Sequence, residues 1–263
     1  MYEEKIKSAG TKIFLSLLGL ILFFGIWELA VDAGLVSEKK LVAPSAIVLT
    51  FIDKLHNVVP DGNTITVHTI TSLKLVLTGF LLSCLIGVPL GLLMGFFKPV
   101  NRFFSPIFEI VRPIPPLAWI PIVIVVLGIG IQAEVFIIFV AAFVPCVINS
   151  YTGIRSTSQT LLNVAKTAGA TNAQLFFKVG VPSALPMVFT GIKISFGSAW
   201  ATLVAAEMIA STVGLGFMIQ QGRSAVRPDI VILGMFVIGL IGAVLTSLLS
   251  ILEKKALPWR NPK

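Results

Sequence analysis

Long apolar runs constrain this chain more than any other feature. They fall at about 13–31, 73–97, 107–128, 135–151, 184–208 and 230–252. Each is close to the roughly 20 residues that a helix needs to cross a bilayer. Inside hydrocarbon every backbone N–H and C=O must be satisfied internally, and a helix does that within one segment. Residues 56% hydrophobic and 12% charged are too apolar for a water-soluble domain. A length of 263 residues would admit one or two soluble domains, but no polar block is long enough to build one. The expected architecture is an all-α polytopic membrane protein of six transmembrane helices. A polar N-terminus (1–12) and tail (253–263) flank a single membrane domain over 13–252.

The segments between the runs carry their own signals. The first run lacks a small-x-small cleavage site and is long for a signal-peptide core, so it reads as a retained anchor. Pro44 and Ser45 can start a short amphipathic helix with Ile47, Val48, Phe51, Ile52 and Leu55 on its apolar side, outside the membrane core. His56 and His68 lack ligand spacing and read as interfacial residues. Cys84 and Cys146 lie in apolar runs and read as small buried side chains rather than a disulfide. In the second run Gly79, Ser83, Gly87, Gly91 and Gly95 recur every fourth position. That stripe suits close helix packing better than a pore wall. Lys98–Pro106 reads as a basic turn. Pro113, Pro115, Pro116 and Pro121 then predict a third span kinked or broken near its start, with Arg112 snorkelling at that end.

The one long polar interruption of the second half is Ser156–Pro186. Ser156 with Gln159, and Thr171 with Gln174, have capping-box spacing. Leu161, Leu162, Ala165 and Ala168 share a helical face, and Gly169 stands where a helix end requires a left-handed residue. Pro182 and Pro186 mark entry into the next span. The stretch (about 155–183) therefore predicts a helix–turn–helix between two spans. Residues 209–228 read as a loop carrying Arg223 and Arg227.

Basic residues orient the chain. Twelve Lys and Arg lie in the N-terminus, the 98–106 turn, the helix–turn–helix and the tail. Lys39, Lys40, Lys54, Arg223 and Arg227 lie on the opposite side. The excess predicts that both termini and the helix–turn–helix are cytoplasmic.

No catalytic constellation and no metal-ligand spacing occur. No G-x-x-x-x-G-K-[ST] phosphate loop occurs either, which argues against ATP binding by that device. Spans on both sides of the helix–turn–helix leave it little freedom to enter a DNA groove, so no nucleic-acid partner is expected. Intramembrane charges are the default functional candidates. Lys193 is long enough to snorkel to the inner interface. Glu207 is short. Two roles stay open for it: bonding the backbone around Gly214–Gly216, or facing a translocation path.

The polar stretch resembles the cytoplasmic coupling motif of ABC-importer permeases: E-A-A, three residues, G, nine residues, I-x-L-P. Asn163, Val164 and Ala165 hold the first positions, Gly169 the glycine, and Val179, Val181 and Pro182 the end. Asn163 replaces the usual acid. Arg112–Pro121 with Gly128-Ile129-Gly130, and Leu203–Ala210 with Gly214–Met218, are similar to signatures of the nitrate/sulfonate/taurine/bicarbonate permeases. Within that group the 203–218 stretch and the terminal Leu257-Pro258-Trp259 look most like the taurine and alkanesulfonate branch.

The resemblance implies a type I importer permease fold in the bacterial plasma (inner) membrane. A second copy of the chain would complete the path in the lipid bilayer. Two cytoplasmic ATPase subunits would bind ATP and Mg, and an extracytoplasmic solute-binding protein would deliver substrate. This chain would hold no cofactor and perform no catalysis. Asn163, Val164, Ala165, Gly169, Ala170, Val179 and Pro182 would couple to the ATPases. Trp119, Trp200, Thr202, Glu207 and Met208 are the candidates for a path or gate. The substrate would be a small anion, taurine or an alkanesulfonate first, with nitrate, bicarbonate or another small solute open. A secondary transporter driven by an ion gradient is disfavoured because no inverted repeat is evident and intramembrane carboxylates are few. A membrane-embedded enzyme is disfavoured by the missing catalytic groups.

Overall fold

A computed structural model describes residues 2–37 and 41–260, with side chains from Phe14 to Trp259. The basic residues Lys39, Lys40 and Lys263 lie outside the described residues, as do the side chains of Lys5, Lys7, Lys12 and Arg260. Among the described residues every regular element is helical. They are α1 (Tyr2–Asp32), α2 (Pro44–Lys54), α3 (Ile65–Phe96), α4 (Lys98–Val111), α5 (Ile120–Leu127), α6 (Ile131–Arg155) and α7 (Gln159–Thr167). Then come α8 (Asn172–Gln174), a π-helical turn (Leu175–Gly180), α9 (Val181–Ala210), α10 (Leu215–Ser224) and α11 (Pro228–Ala256). Short 3₁₀ turns cover Pro116–Trp119 and Pro258–Arg260.

Among the described residues five helices are long and apolar enough to cross a membrane. A sixth crossing exists only if Lys98–Val111 and Pro116–Leu127, bent by 84°, count as one. This corrects the third span in one respect: Lys98–Pro106 is helix rather than turn. The break expected near its start is present, and the proline-rich Arg112–Pro115 segment separates two helices. Pro113 and Pro115 cannot donate to a helical ladder, so the first helix stops there.

The chain divides into two compact units. One comprises Met1–Thr66 and Met218–Val237. In it Glu28 accepts hydrogen bonds from the Ser45 amide (3.0 Å) and hydroxyl (2.5 Å), tying the start of α2 to α1. Trp27 stacks on Phe236 at 6.0 Å. Lys54 is buried and pairs with Asp61 at 2.6 Å, also donating to the Asn63 carbonyl at 3.0 Å. The buried side of α2 is thus Ile47, Thr50 and Lys54. Of the expected apolar side, Ile47 is buried while Val48, Phe51, Ile52 and Leu55 are exposed. In a protein surrounded by lipid the apolar face has no reason to turn inward, and the polar groups gather where they find partners.

The second unit, Val67–Phe217 with Ile238–Lys263, holds the main core. Leu75, Val76 and Phe80 of α3 pack with Ile138 and Ala142 of α6 and with Phe196, Ala199 and Leu203 of α9. The small-residue stripe is the α3–α6 contact. A Cβ on Gly79 would lie 2.7 Å from Ile138, and one on Gly87 would lie 2.9 Å from Cys146. Gly91 and Gly95 abut Val147 and Ile154 in the same way. Ser83 donates to the Phe139 carbonyl at 2.8 Å. The stripe brings the two cysteines together as thiols, with Sγ atoms 3.8 Å apart. At one end of the bundle α5 packs through Ile120 and Val123 on Ala133, Ile137 and Ala206. At the other end Phe176 of the π turn meets Leu92, Ile154, Ala184 and Val188. Lys193 pairs with Glu253, in the last turn of α11, at 2.5 Å, and both side chains are part-buried.

Candidate functional site

Two places carry polar architecture that packing alone does not require. The first is the 155–183 segment. Helix α7 starts after Ser158, not Ser156, whose hydroxyl donates to the Gly153 carbonyl at 2.7 Å. That bond removes the first expected capping box. The helix ends in a Schellman arrangement: Gly169 N donates to Lys166 O (2.9 Å) and Ala170 N to Ala165 O (3.0 Å). Gly169 adopts φ +84°, the left-handed conformation its position predicts. The second capping box forms. Gln174 N donates to Thr171 Oγ1 at 3.3 Å, and Thr171 N to Gln174 Oε1 at 2.9 Å. The helix it opens is not a separate short helix. It continues through the π turn into α9 as one rod, Asn172–Ala210. Pro182 fits its first turn and Pro186 lies inside it.

No residue of α7 is buried, and Leu161 and Val164 are more than half exposed. Asn163 is exposed and accepts from Gln159 Nε2 at 3.1 Å. Thr160, Asn163, Val164, Thr167 and Ala168 line a shallow open groove. Ala165, Ala170 and Val179 are half-buried and Pro182 is exposed. A Cβ on Gly169 would meet nothing within 4 Å, so the chain itself leaves that position open. The anchor of this loop is Phe176, which sequence reading passed over. It packs on Phe96 at 5.2 Å and Phe97 at 5.5 Å, at the end of α3. An aromatic pair flanking a glycine-terminated helix was its only signal.

The second place is the start of α10, a segment expected to be loop. Three consecutive amides meet three side chains. Gly214 N donates to His68 Nδ1 (2.9 Å), Leu215 N to Ser72 Oγ (2.9 Å) and Gly216 N to Glu207 Oε2 (2.8 Å). Ser72 Oγ in turn donates to Glu207 Oε1 at 2.5 Å. A helix leaves its first amides without internal acceptors, and here tertiary partners supply them. His68, Ser72 and Glu207 are all fully buried. His68 is therefore a buried capping residue, its Nδ1 committed to the Gly214 amide. Glu207 takes the backbone-bonding role. Gly214, at φ +150°, brings its Cα against the Glu207 carboxyl, where a side chain has no room. Glu134 of α6 is buried close by in the same unit, 2% exposed, and sequence reading did not single it out.

The other path candidates divide. Thr202 is buried. Trp200 stacks on Phe196 at 6.1 Å and lies against Gly242 of α11. Met208 is half-buried. Trp119 lines an apolar groove with Ile122, Val123, Val126, Leu127 and Phe136.

Among the described residues the fold is all-helical, with several helices long and apolar enough to cross a membrane and an exposed helix and turn between two of them. The fold matches one chain of the inward-facing MetNI methionine ABC transporter, with TM-score 0.54 and 23% identity over 68% of this chain and 92% of that one. Residues 87–257 match the family model of binding-protein-dependent transport system inner membrane components, and the chain belongs to that family. It is similar to a putative ABC transporter permease of Methanocaldococcus jannaschii, 38% identical over 90% of this chain and 88% of that protein. It is also similar to the taurine transport system permease TauC of Escherichia coli, 33% identical over 95% and 91%. The nitrate import permease NrtB of Leptolyngbya laminosa is 35% identical over 71% and 67%. The chain is accordingly a multi-pass ABC-importer permease of the taurine, sulfonate and nitrate group.

Proposed function

We propose that this chain is the membrane half of an ATP-driven importer for a small anion, with taurine or a short alkanesulfonate the first choice. Two copies form the path, two ATPase subunits dock on α7 and the Gly169 turn, and a solute-binding protein delivers substrate from outside. Both termini and α7 face the cytoplasm. ATP and Mg are held by the ATPases.

The observation that carries the docking is α7 itself. A nine-residue helix with no buried side chain and two large apolar residues exposed contributes nothing to its own core. Such a helix persists where a partner covers it. The rod from Asn172 to Ala210 then gives docking a direct mechanical route across the membrane. A push at the turn moves the whole helix, and α9 carries Thr202, Glu207 and Met208 with it. Those three, with Trp119 and Trp200, are the residues on which alternating access acts.

Substrate is tested by uptake in the reconstituted complex with its own binding protein, comparing labelled taurine with nitrate and bicarbonate. Taurine uptake that needs ATP and survives ionophores is expected. Nitrate uptake without taurine transport moves the chain to the nitrate branch, which the resemblance to NrtB also supports. Docking is tested at Gly169. Asn tolerates a left-handed turn, so Gly169→Asn keeps the fold while adding bulk. It should weaken ATPase association mildly, whereas Gly169→Arg should abolish coupling with membrane insertion intact. Wild-type uptake by Gly169→Arg removes the docking role from this turn.

A further inference from the structure

Helix α4 has no buried residue, although it sits between two apolar segments of a membrane protein. Its side chains sort into three strips at helical spacing. Val100, Phe104, Phe108 and Val111 are half-buried and form the side turned to the protein. The outward half is itself divided. Phe103, Ile107 and Ile110 are 67%, 54% and 72% exposed along one edge. Lys98, Arg102, Glu109 and Arg112 are exposed along the other.

That division decides between environments. A helix facing lipid tails along its whole outer side would be apolar all round it. A helix in water would not expose three large apolar side chains in a row. A split outer face fits a helix lying in the plane of the membrane, one edge in the acyl region and the other among headgroups. The 84° bend between this helix and the apolar Pro116–Leu127 segment supplies that orientation when the latter runs into the bilayer. The charged edge also has a sign. Glu109 is its one acid and pairs with Arg112 at 3.8 Å, so Lys98 and Arg102 set the net charge.

We infer that α4 is an in-plane interfacial helix whose Lys98–Arg102 edge binds anionic phospholipid headgroups while Phe103, Ile107 and Ile110 enter the acyl region. The site anchors the broken end of the α4–α5 pair at the membrane surface. It rests on membrane insertion of the chain and not on the transported solute.

The test uses the full chain in a Cys84→Ala, Cys146→Ala background, reconstituted in phosphatidylcholine vesicles with or without phosphatidylglycerol. A nitroxide is placed at Phe103→Cys or at Glu109→Cys. The Phe103 label should be relaxed by oxygen and shielded from a water-soluble nickel chelate, and the Glu109 label should show the reverse. Phosphatidylglycerol retained on the purified chain should be enriched over phosphatidylcholine. Lys98→Gln with Arg102→Gln should cut that enrichment by about fivefold or more, the factor that one basic charge near an anionic surface is worth. Arg102→Lys should keep it. A Phe103 label open to nickel places the helix in water and overturns the inference. Spin–spin broadening between two Phe103 labels assigns the face to a second copy and overturns it too. Enrichment unchanged in the double variant removes the headgroup site.

Discussion

Glu207→Ala is the most informative single substitution in this chain. The carboxyl serves two buried donors on two different oxygens, the Ser72 hydroxyl and the Gly216 amide. Alanine leaves both without their acceptor in a site closed to water. Each orphaned donor costs about 1–3 kcal/mol, and relief of carboxyl desolvation offsets part of the sum. A net local loss of about 2–4 kcal/mol at the α10 N-terminus is expected. Glutamine keeps one carbonyl acceptor and turns an amide toward Ser72. That hydroxyl already accepts from Leu215, so it takes a second donor with its own proton stranded. Gln should therefore cost about half as much as Ala. The assay is amide hydrogen exchange of the full chain in lipid nanodiscs. Exchange at Leu215–Phe217 should rise by about 30- to 1,000-fold in Glu207→Ala, since 1.4 kcal/mol is a factor of ten. Exchange in α7 should stay as in wild type. Unchanged protection at Leu215–Phe217 in the Ala variant would refute the cap, and so would Gln behaving like Ala.

Three further outcomes follow from the packing and topology. Gly91→Val should destabilise the α3–α6 contact by at least the roughly 1–3 kcal/mol of an overpacked site, because its Cβ meets the Val147 carbonyl and not a flexible side chain; a thermal midpoint in micelles equal to wild type argues against it. Lys193→Gln and Glu253→Gln should each lower that midpoint slightly, and the exchanged pair Lys193→Glu with Glu253→Lys should recover most of the loss; a swap no better than the single variants shows that the 2.5 Å pair adds nothing. In a cysteine-free background Ser224→Cys should react with an impermeant thiol reagent from outside and Asn172→Cys from the cytoplasmic side alone; both positions are exposed, so the reverse pattern overturns the topology rather than the accessibility.

The sequence by itself determined whatever depends on neighbours a few residues away. Hydropathy over a window of bilayer length placed the long helices. Four-residue spacing of Gly79, Ser83, Gly87, Gly91 and Gly95 fixed a smooth face, and smooth faces pack. Gly169 and the Thr171–Gln174 box terminated one helix and opened the next through bonds made within a few residues. The Gly169 turn was legible because the residues that form it are continuous in the chain. Tertiary structure decided whatever depends on distant partners. Helix α10 looked like loop because its cap comes from His68 and Ser72, about 140 residues earlier, and from Glu207. The Lys193–Glu253 pair was not legible because the acid lies 60 residues away. Helix α4 looked like a turn because Pro99 and Pro106 suggest breaks, yet both are accommodated, the first at the helix start. Local propensity reports how a segment would satisfy its own backbone. It is silent when the satisfaction comes from another helix, and in a bilayer, where water cannot substitute, those distant bonds decide which loops become structure.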